Sequence, residues 1–340
     1  MRGTVGGVAL GLSCLAGAAA IGPRRNDVAH ASQLLAVAAD STVPEWLFPR
    51  PPAGPAGVFD TIARRHIPRS TAAFVESRLH DLFYAADWFP ASHPVMPDVV
   101  RLGRKPALFA CAYCHQPDGS GRPENVQIAG MPAPYIVQQL ADMKSRTRTT
   151  AWHGVVWVPT DNMRKVADAA TDEDVAIAAA YFASLKARRL VRVVEASRIP
   201  RARPVVGIYA RDAAGGTEAL GDRLIEMPND FERHELRDPH VGYVAYVPRG
   251  SVARGRALAS KPVNSAGQHC GSCHGPLLRG VALVPRLAGQ GPGYLIRQLL
   301  AFRSGDRSTP IDAPMRAVAS TLSLDDMIAV AAYAATLKPQ

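Results

Sequence analysis

The residues best suited to chemistry are two short runs with one pattern, Cys111-Ala112-Tyr113-Cys114-His115 and Cys270-Gly271-Ser272-Cys273-His274. In each, two thiols three positions apart on a helical turn face the same way, with an imidazole beside the second. That spacing suits addition of both thiols to the two vinyl groups of one haem, with the adjacent His beneath the iron. A redox dithiol wants a β-α-β setting and no His. A zinc ribbon wants its second Cys pair about 15–20 residues after the first, whereas here the first pair ends at Cys114 and the second begins at Cys270. Of the five cysteines, four form these pairs and the fifth is Cys14, so none is left for a disulfide framework. Two covalently bound haem c groups, each with its iron, are the cofactors expected. Cys111, Cys114 and His115 would hold one, and Cys270, Cys273 and His274 the other.

The elements that must position these groups are duplicated. Ala129-Gly130 matches Ala288-Gly289, Tyr135 matches Tyr294, Gln139-Leu140 matches Gln298-Leu299, and Arg148 matches Arg307, all at one offset. Tyr135 to Leu140 and Tyr294 to Leu300 carry apolar residues three and four apart, which predicts a helix in each half. A second block follows at a shorter offset: Met163-Arg164-Lys165-Val166-Ala167 matches Met315-Arg316-Ala317-Val318-Ala319, and Tyr181 matches Tyr333. Thr171 and Ser323 stand before Asp-rich turns as N-caps of a terminal helix in each half. The surplus in the first half lies within Thr149–Asn162, which holds Trp152, His153 and Trp157. It reads as a longer loop against the first haem.

The order of C-x-x-C-H, Gly-containing loop, Tyr helix, Met and terminal helix resembles class I cytochrome c domains, and the tandem resembles the dihaem c4-type cytochromes. The resemblance covers roughly Asp98–Lys186 and Ser251–Gln340. It implies that Met163 and Met315 are the distal axial ligands, so that His115 and Met163, and His274 and Met315, bind the two irons. It also implies that the carbonyl of Pro285 orients the proximal His, with Gln127 standing in that place in the first half. A thioether is a soft ligand that raises the potential and fills the coordination sphere, which favours electron transfer. Met143 and Met327 fall within helical periodicity and read as core.

The expected fold is mainly α: two tandem class I cytochrome c domains with an N-terminal extension and a short β-containing connector. The boundaries read as a signal peptide over 1–31, the extension over 32–97, domain 1 over 98–187, the connector over 188–250 and domain 2 over 251–340. In the extension, a helix is expected from Ser70 to Ala86, and His93 and Met96 read as an arm packed over the core. In the connector, Val191–Glu195 and Val241–Val247 have strand-like composition.

Arg2 and the apolar stretch from Val5 to Ile21, with A-x-A cleavage sites at Ala18-Ala19-Ala20 and Ala29-His30-Ala31, read as an export signal for the periplasm, with an uncleaved anchor as the alternative. The net charge of +10 favours acidic redox protein partners or a membrane-bound oxidase or dehydrogenase. The scattered arginines, without interleaved aromatics, argue against nucleic acid. These features read as a carrier of single electrons between redox partners, with no small-molecule substrate. The alternative is a dihaem peroxidase with an open site at the first haem, favoured only by the loop bearing Trp152 and His153.

Overall fold

A computed structural model describes residues 43–50, 59–150, 157–263, 265 and 267–339. The expected signal segment, Cys14, Trp152 and His153 lie outside the described residues. In chain order, the elements begin with β1 (Arg64–Arg65), β2 (Phe74–Val75), α1 (Glu76–Leu79) and α2 (Asp98–Arg101). The first half continues with α3 (Cys111–His115), α4 (Ala133–Lys144), α5 (Val158–Ala169) and α6 (Asp172–Ser184). The connector holds β3 (Val191–Glu195), β4 (Arg198–Pro200), β5 (Ala202–Pro204), β6 (Tyr209–Arg211), β7 (Thr217–Ala219), β8 (Ile225–Pro228), α7 (Phe231–Glu235) and β9 (Tyr243–Val247). The second half has α8 (Ser251–Ala259), α9 (Cys270–His274), α10 (Pro292–Ser304), α11 (Ala313–Ser320) and α12 (Leu324–Thr336).

The duplicated helices form where the sequence places them. Thr171 Oγ1 accepts from Asp174 N at 3.1 Å while Asp174 Oδ2 accepts from Thr171 N at 2.9 Å, and Ser323 with Asp326 repeats this reciprocal cap at 3.1 Å for both bonds. Each pair satisfies backbone donors that the first turn leaves without partners. The loop after each attachment helix is tied to the terminal helix in the same way, Gly130 N to Phe182 O at 2.9 Å and Gly289 N to Ala334 O at 3.0 Å. Met143 and Met327 are buried, as their periodicity predicts.

Two main cores result. One is built from the stretch between Leu82 and Ala187, around Phe109, Ile136, Tyr181 and Phe182. The other gathers Ile296, Leu300, Met327 and Ile328 but also takes Leu47, Phe48 and Trp157 from upstream. Trp157 was expected against the first haem. It instead packs in the second core, edge-on to Phe48 at 5.2 Å and with the Arg297 guanidinium 5.4 Å from its ring.

The connector is a folded brace. Strand β3 runs parallel to β9, from Val191 opposite Tyr243 to Glu195 opposite Val247, and β8 is antiparallel on the other side of β9. Two small antiparallel pairs, β4 with β7 and β5 with β6, lie beside it. The helix expected from Ser70 to Ala86 does not form beyond α1. Asp81 Oδ1 turns the chain by accepting from Phe83 N at 3.0 Å. The backbone beyond it then pairs with the first half: Leu82 O with Ala110 N, Phe83 O with Gly103 N, and Ala85 N with Arg101 O. Those outside partners replace the bonds a helix would have made. His93 and Met96 do pack as an arm over the core. His93 meets Tyr181 Oη at 3.1 Å and Asp87 Oδ1 at 3.2 Å, and Met96 is buried. No single helix among the described residues is long and apolar enough to cross a membrane.

Candidate haem-attachment sites

Each C-x-x-C-H run is one helical turn, as two thiols converging on a single group require. His115 and His274 are buried, and burial lowers the pKa of both, which favours the neutral imidazole. In each, Nδ1 meets a carbonyl from the following loop, Val126 O at 2.9 Å and Pro285 O at 2.8 Å. A neutral imidazole donates at one ring nitrogen and keeps a lone pair on the other. The bond to the carbonyl therefore leaves Nε2 free as a ligand and fixes the ring plane. The first carbonyl belongs to Val126, not to Gln127 as expected. The offset that relates the two motifs places Val126 opposite Pro285 and Gln127 opposite Arg286.

The surroundings of the two motifs differ. Burial pushes the Cys111 thiol up to about 12 and raises the Cys114 thiol as well. Cys273, by contrast, is exposed. Met163 lies on α5 and Met315 on α11, both half-buried, and Met315 packs against the second core.

Between the halves lies a buried polar cluster that the sequence analysis noted only as matched residues. Arg148 donates to Gln139 Oε1 at 3.0 Å and Gln298 Oε1 at 3.1 Å, and Arg307 donates to the same two oxygens at 2.8 Å and 3.1 Å. Arg148 also reaches Tyr294 Oη at 3.3 Å, while Arg307 bonds Asp312 Oδ1 at 3.3 Å. The repeated Arg, Gln and Tyr positions were the signal: buried polar residues kept at one offset need each other's hydrogen bonds.

The donor set fits covalent haem. Two thiols share a turn with a neutral, oriented imidazole, twice over. Buried Arg148 and Arg307 would supply positive charge for ionised propionates, and Arg307 Nε, buried, has no partner among the described residues. No group of three His, Cys, Asp or Glu side chains among the described residues is placed to hold a metal ion by itself. A protein zinc site needs such a group.

This geometry defines a class, proteins with haem attached covalently through paired cysteines. The family model for cytochrome c matches residues 102–186 and 252–338. Cytochrome c4 of Azotobacter vinelandii is 30% identical over 233 residues, covering 66% of this chain and 82% of that protein. A Stutzerimonas stutzeri protein named thiosulfate dehydrogenase electron acceptor is 28% identical, covering 69% of this chain and 82% of its own length. Among solved structures, reduced recombinant cytochrome c4 from Pseudomonas stutzeri aligns with a TM-score of 0.42 at 26% identity, over 67% of this chain and 93% of that chain.

The chain belongs to the cytochrome c family. It is a tandem, dihaem electron-transfer protein of the c4 kind, with one covalently bound haem c for each matched repeat. The relatives give the peroxidase alternative no support.

Proposed function

We propose that this chain is an exported electron carrier, not itself an enzyme, which takes electrons from one redox protein and passes them to another. Residues 98–187 and 251–340 form the two haem domains, and 188–250 holds them at fixed orientation. Cys111, Cys114 and His115 hold the first group with Met163 as second axial ligand, and Cys270, Cys273 and His274 hold the second with Met315. When bound, each haem supplies a one-electron iron couple. The protein supplies the rest: thiols anchor, Val126 O and Pro285 O hold the imidazoles in one tautomer, and Arg148 and Arg307 offset negative charge.

The observation that carries this reading is the repeated tether, His Nδ1 on a backbone carbonyl eleven residues further on in both halves. A stabilised, ordered ligand favours fast outer-sphere transfer with little rearrangement. The relative named as a thiosulfate dehydrogenase electron acceptor supports an upstream oxidoreductase as donor here too.

Mass spectrometry of the mature protein tests the count, and two haem additions are expected. Absorption spectra test the ligands: Met315→Ala and Met163→Ala should each remove about half of the Met–Fe(III) charge-transfer band. A full band in either variant would remove that Met from the ligand set.

A further inference from the structure

We propose that this chain exchanges electrons with its partner at the second attachment helix alone, through an exposed apolar rim of Leu277, Val281 and Leu283, and that the partner is a redox protein with acidic residues around its own centre. The proposal rests on the electron-transfer reading above and assigns that function one port.

The two halves differ position for position. Where the second half has Leu277, Val281 and Leu283, the same offset gives Asp118, Arg122 and Glu124 in the first. The loops have one backbone form: Val281 bridges Val284 as Arg122 bridges Asn125, and Gly280 N bonds His274 O as Gly121 N bonds His115 O. In the first half the charged residues are paired, partly with one another and partly with the connector. Asp118 pairs with Arg188, Arg122 pairs with Glu124 at 3.0 Å, and Arg122 also meets His234. In the second half the three apolar side chains are 55%, 50% and 53% exposed.

The attachment helices differ in the same sense. Ala112 and Tyr113, on α3, are buried. The Arg237 guanidinium lies 3.5 Å over the Tyr113 ring, donates to Tyr113 O at 2.9 Å and ties this lid to Leu79 O at 2.6 Å. Phe83 of the extension stands edge-on to Phe109 at 5.2 Å, just before the first motif. On α9, Ser272 and Cys273 are exposed. The extension and connector thus close the first edge and leave the second open.

The open rim is held in place at a cost. Leu277, Leu278 and Ala282 have φ of 53°, 58° and 51°, left-handed backbone that is unfavourable for a non-glycine residue. Grouped exposed apolar side chains, on strained backbone, mark a surface kept for contact.

Charge selects the partner. No Asp or Glu occurs from Ser251 to Gly305, while Lys261, Arg279 and Lys338 are exposed. Arg279 Nε donates to the backbone carbonyl of Lys338 at 3.3 Å, which ties this arginine to the C-terminal segment. An apolar rim that carries the exposed Arg279, on a stretch without acidic side chains, fits an acidic partner and disfavours a second copy of this chain. In each exchange the partner's centre gains or loses one electron and this chain does the opposite. No atom or proton moves, and the first domain is filled or emptied through the second.

The probe is a gold electrode coated with a mixed carboxylate- and hydroxyl-terminated thiol monolayer, read by film voltammetry of the full holoprotein. Leu277→Asp/Val281→Asp/Leu283→Asp is expected to slow interfacial transfer for both haems at least tenfold. Arg279→Glu alone should slow it several-fold without touching the apolar centre. Ile62→Asp/Val95→Asp, on the extension, should change it less than twofold. Wild-type rates in both rim variants would overturn the port, as would equal loss from the extension variant or equal coupling on an amine-terminated monolayer. Haem count by mass spectrometry separates the two readings: fewer than two haems in the wild-type chain would sink the electron-transfer reading itself.

Discussion

Arg286 Nη2 donates to Gln127 Oε1 at 2.9 Å, and these two residues occupy the same place in the two halves. Residues related by an internal repeat meet each other only where an approximate two-fold axis passes between the halves. Arg148 and Arg307 obey the same axis, forming an antiparallel bridge with each other. Gln127 follows Val126, which holds His115, and Arg286 follows Pro285, which holds His274. The loops that orient the two imidazoles are therefore hydrogen-bonded across the boundary.

Removing that bond should loosen the pair of domains. Gln127→Ala strips an acceptor from a buried guanidinium, which also holds Ala288 O and Ala129 O. A loss of about 1–3 kcal/mol is expected in denaturant unfolding. A double-mutant cycle with Arg286→Ala should show coupling of about 1 kcal/mol or more. Additive losses would show that the contact does not join the halves.

Among the glycines of the second half, Gly255 is the most tightly enclosed. A Cβ there would lie 1.9 Å from Ala329 O, where α8 crosses α12. Both are helices, so the backbone carbonyl has little room to retreat. Gly255→Ala should destabilise by at least about 2 kcal/mol through overpacking. Thermal unfolding checks this, and an unchanged midpoint would mean that the helices can separate without loss.

The attachment runs, the duplicated helices and their caps were legible in the sequence because they depend on local spacing: a thiol pair on one turn, an apolar period, a Thr or Ser three residues before Asp. The β3–β9 pairing was foreshadowed by the Val-rich stretches at its two strands. The lid over α3 was not legible. Arg237 reaches Tyr113 from far along the chain, and nothing local marks an arginine that will stack on a distant ring. Residues 82–85 misled for a similar reason, since their helical composition lost to partners on the first half. Trp157 also went to the other core, because burial there with Phe48 and Arg297 outweighs its closeness in sequence to the first site.

Glu226 makes stability fall as pH rises. It is buried in the connector, accepts from Gly293 N at 3.2 Å, and burial pushes its pKa up to about 7. The charged groups facing it are Arg297, which favours ionisation, and Glu124, which opposes it. Between its ordinary value of 4.5 and about 7 the folded chain keeps a proton that the unfolded chain has released. Stability should drop across that window, by on the order of 3 kcal/mol in total, and level off above it. In Glu226→Gln the drop should vanish when unfolding at pH 5 and pH 8 is compared. An unchanged slope would place the titration elsewhere.

Cys270→Ala with Cys273→Ala should leave the first haem domain folded and carrying its haem. All residues of the first core lie between Leu82 and Ala187, so that core is self-contained. The second core is not, since it borrows Leu47, Phe48 and Trp157. Cys111→Ala with Cys114→Ala should accordingly weaken the second domain more than the reverse change weakens the first. Intact mass should show one haem in the first variant. Soluble, exported protein without haem would show that the first half depends on the second.

The two haems should titrate as two resolved one-electron waves, the more positive one belonging to the first domain. Burial disfavours whichever redox form carries more charge, and the ferric form does. The first motif is closed by Arg237 and the extension, whereas Cys273 in the second is exposed, so the first site should favour the reduced state more strongly. The Cys270→Ala/Cys273→Ala variant assigns the waves, since the one it retains is that of the first domain. An electron entering at the second domain would then run downhill to the first. The β3–β9 pairing and the Gln127–Arg286 bond hold the distance it must cross. After rapid mixing with a one-electron donor, transfer between haems should outpace reduction by the donor, and Arg286→Ala should slow it. A single unresolved wave would remove the asymmetry. Transfer slower than reduction by the donor would show that the two domains are not held close enough to act as one carrier.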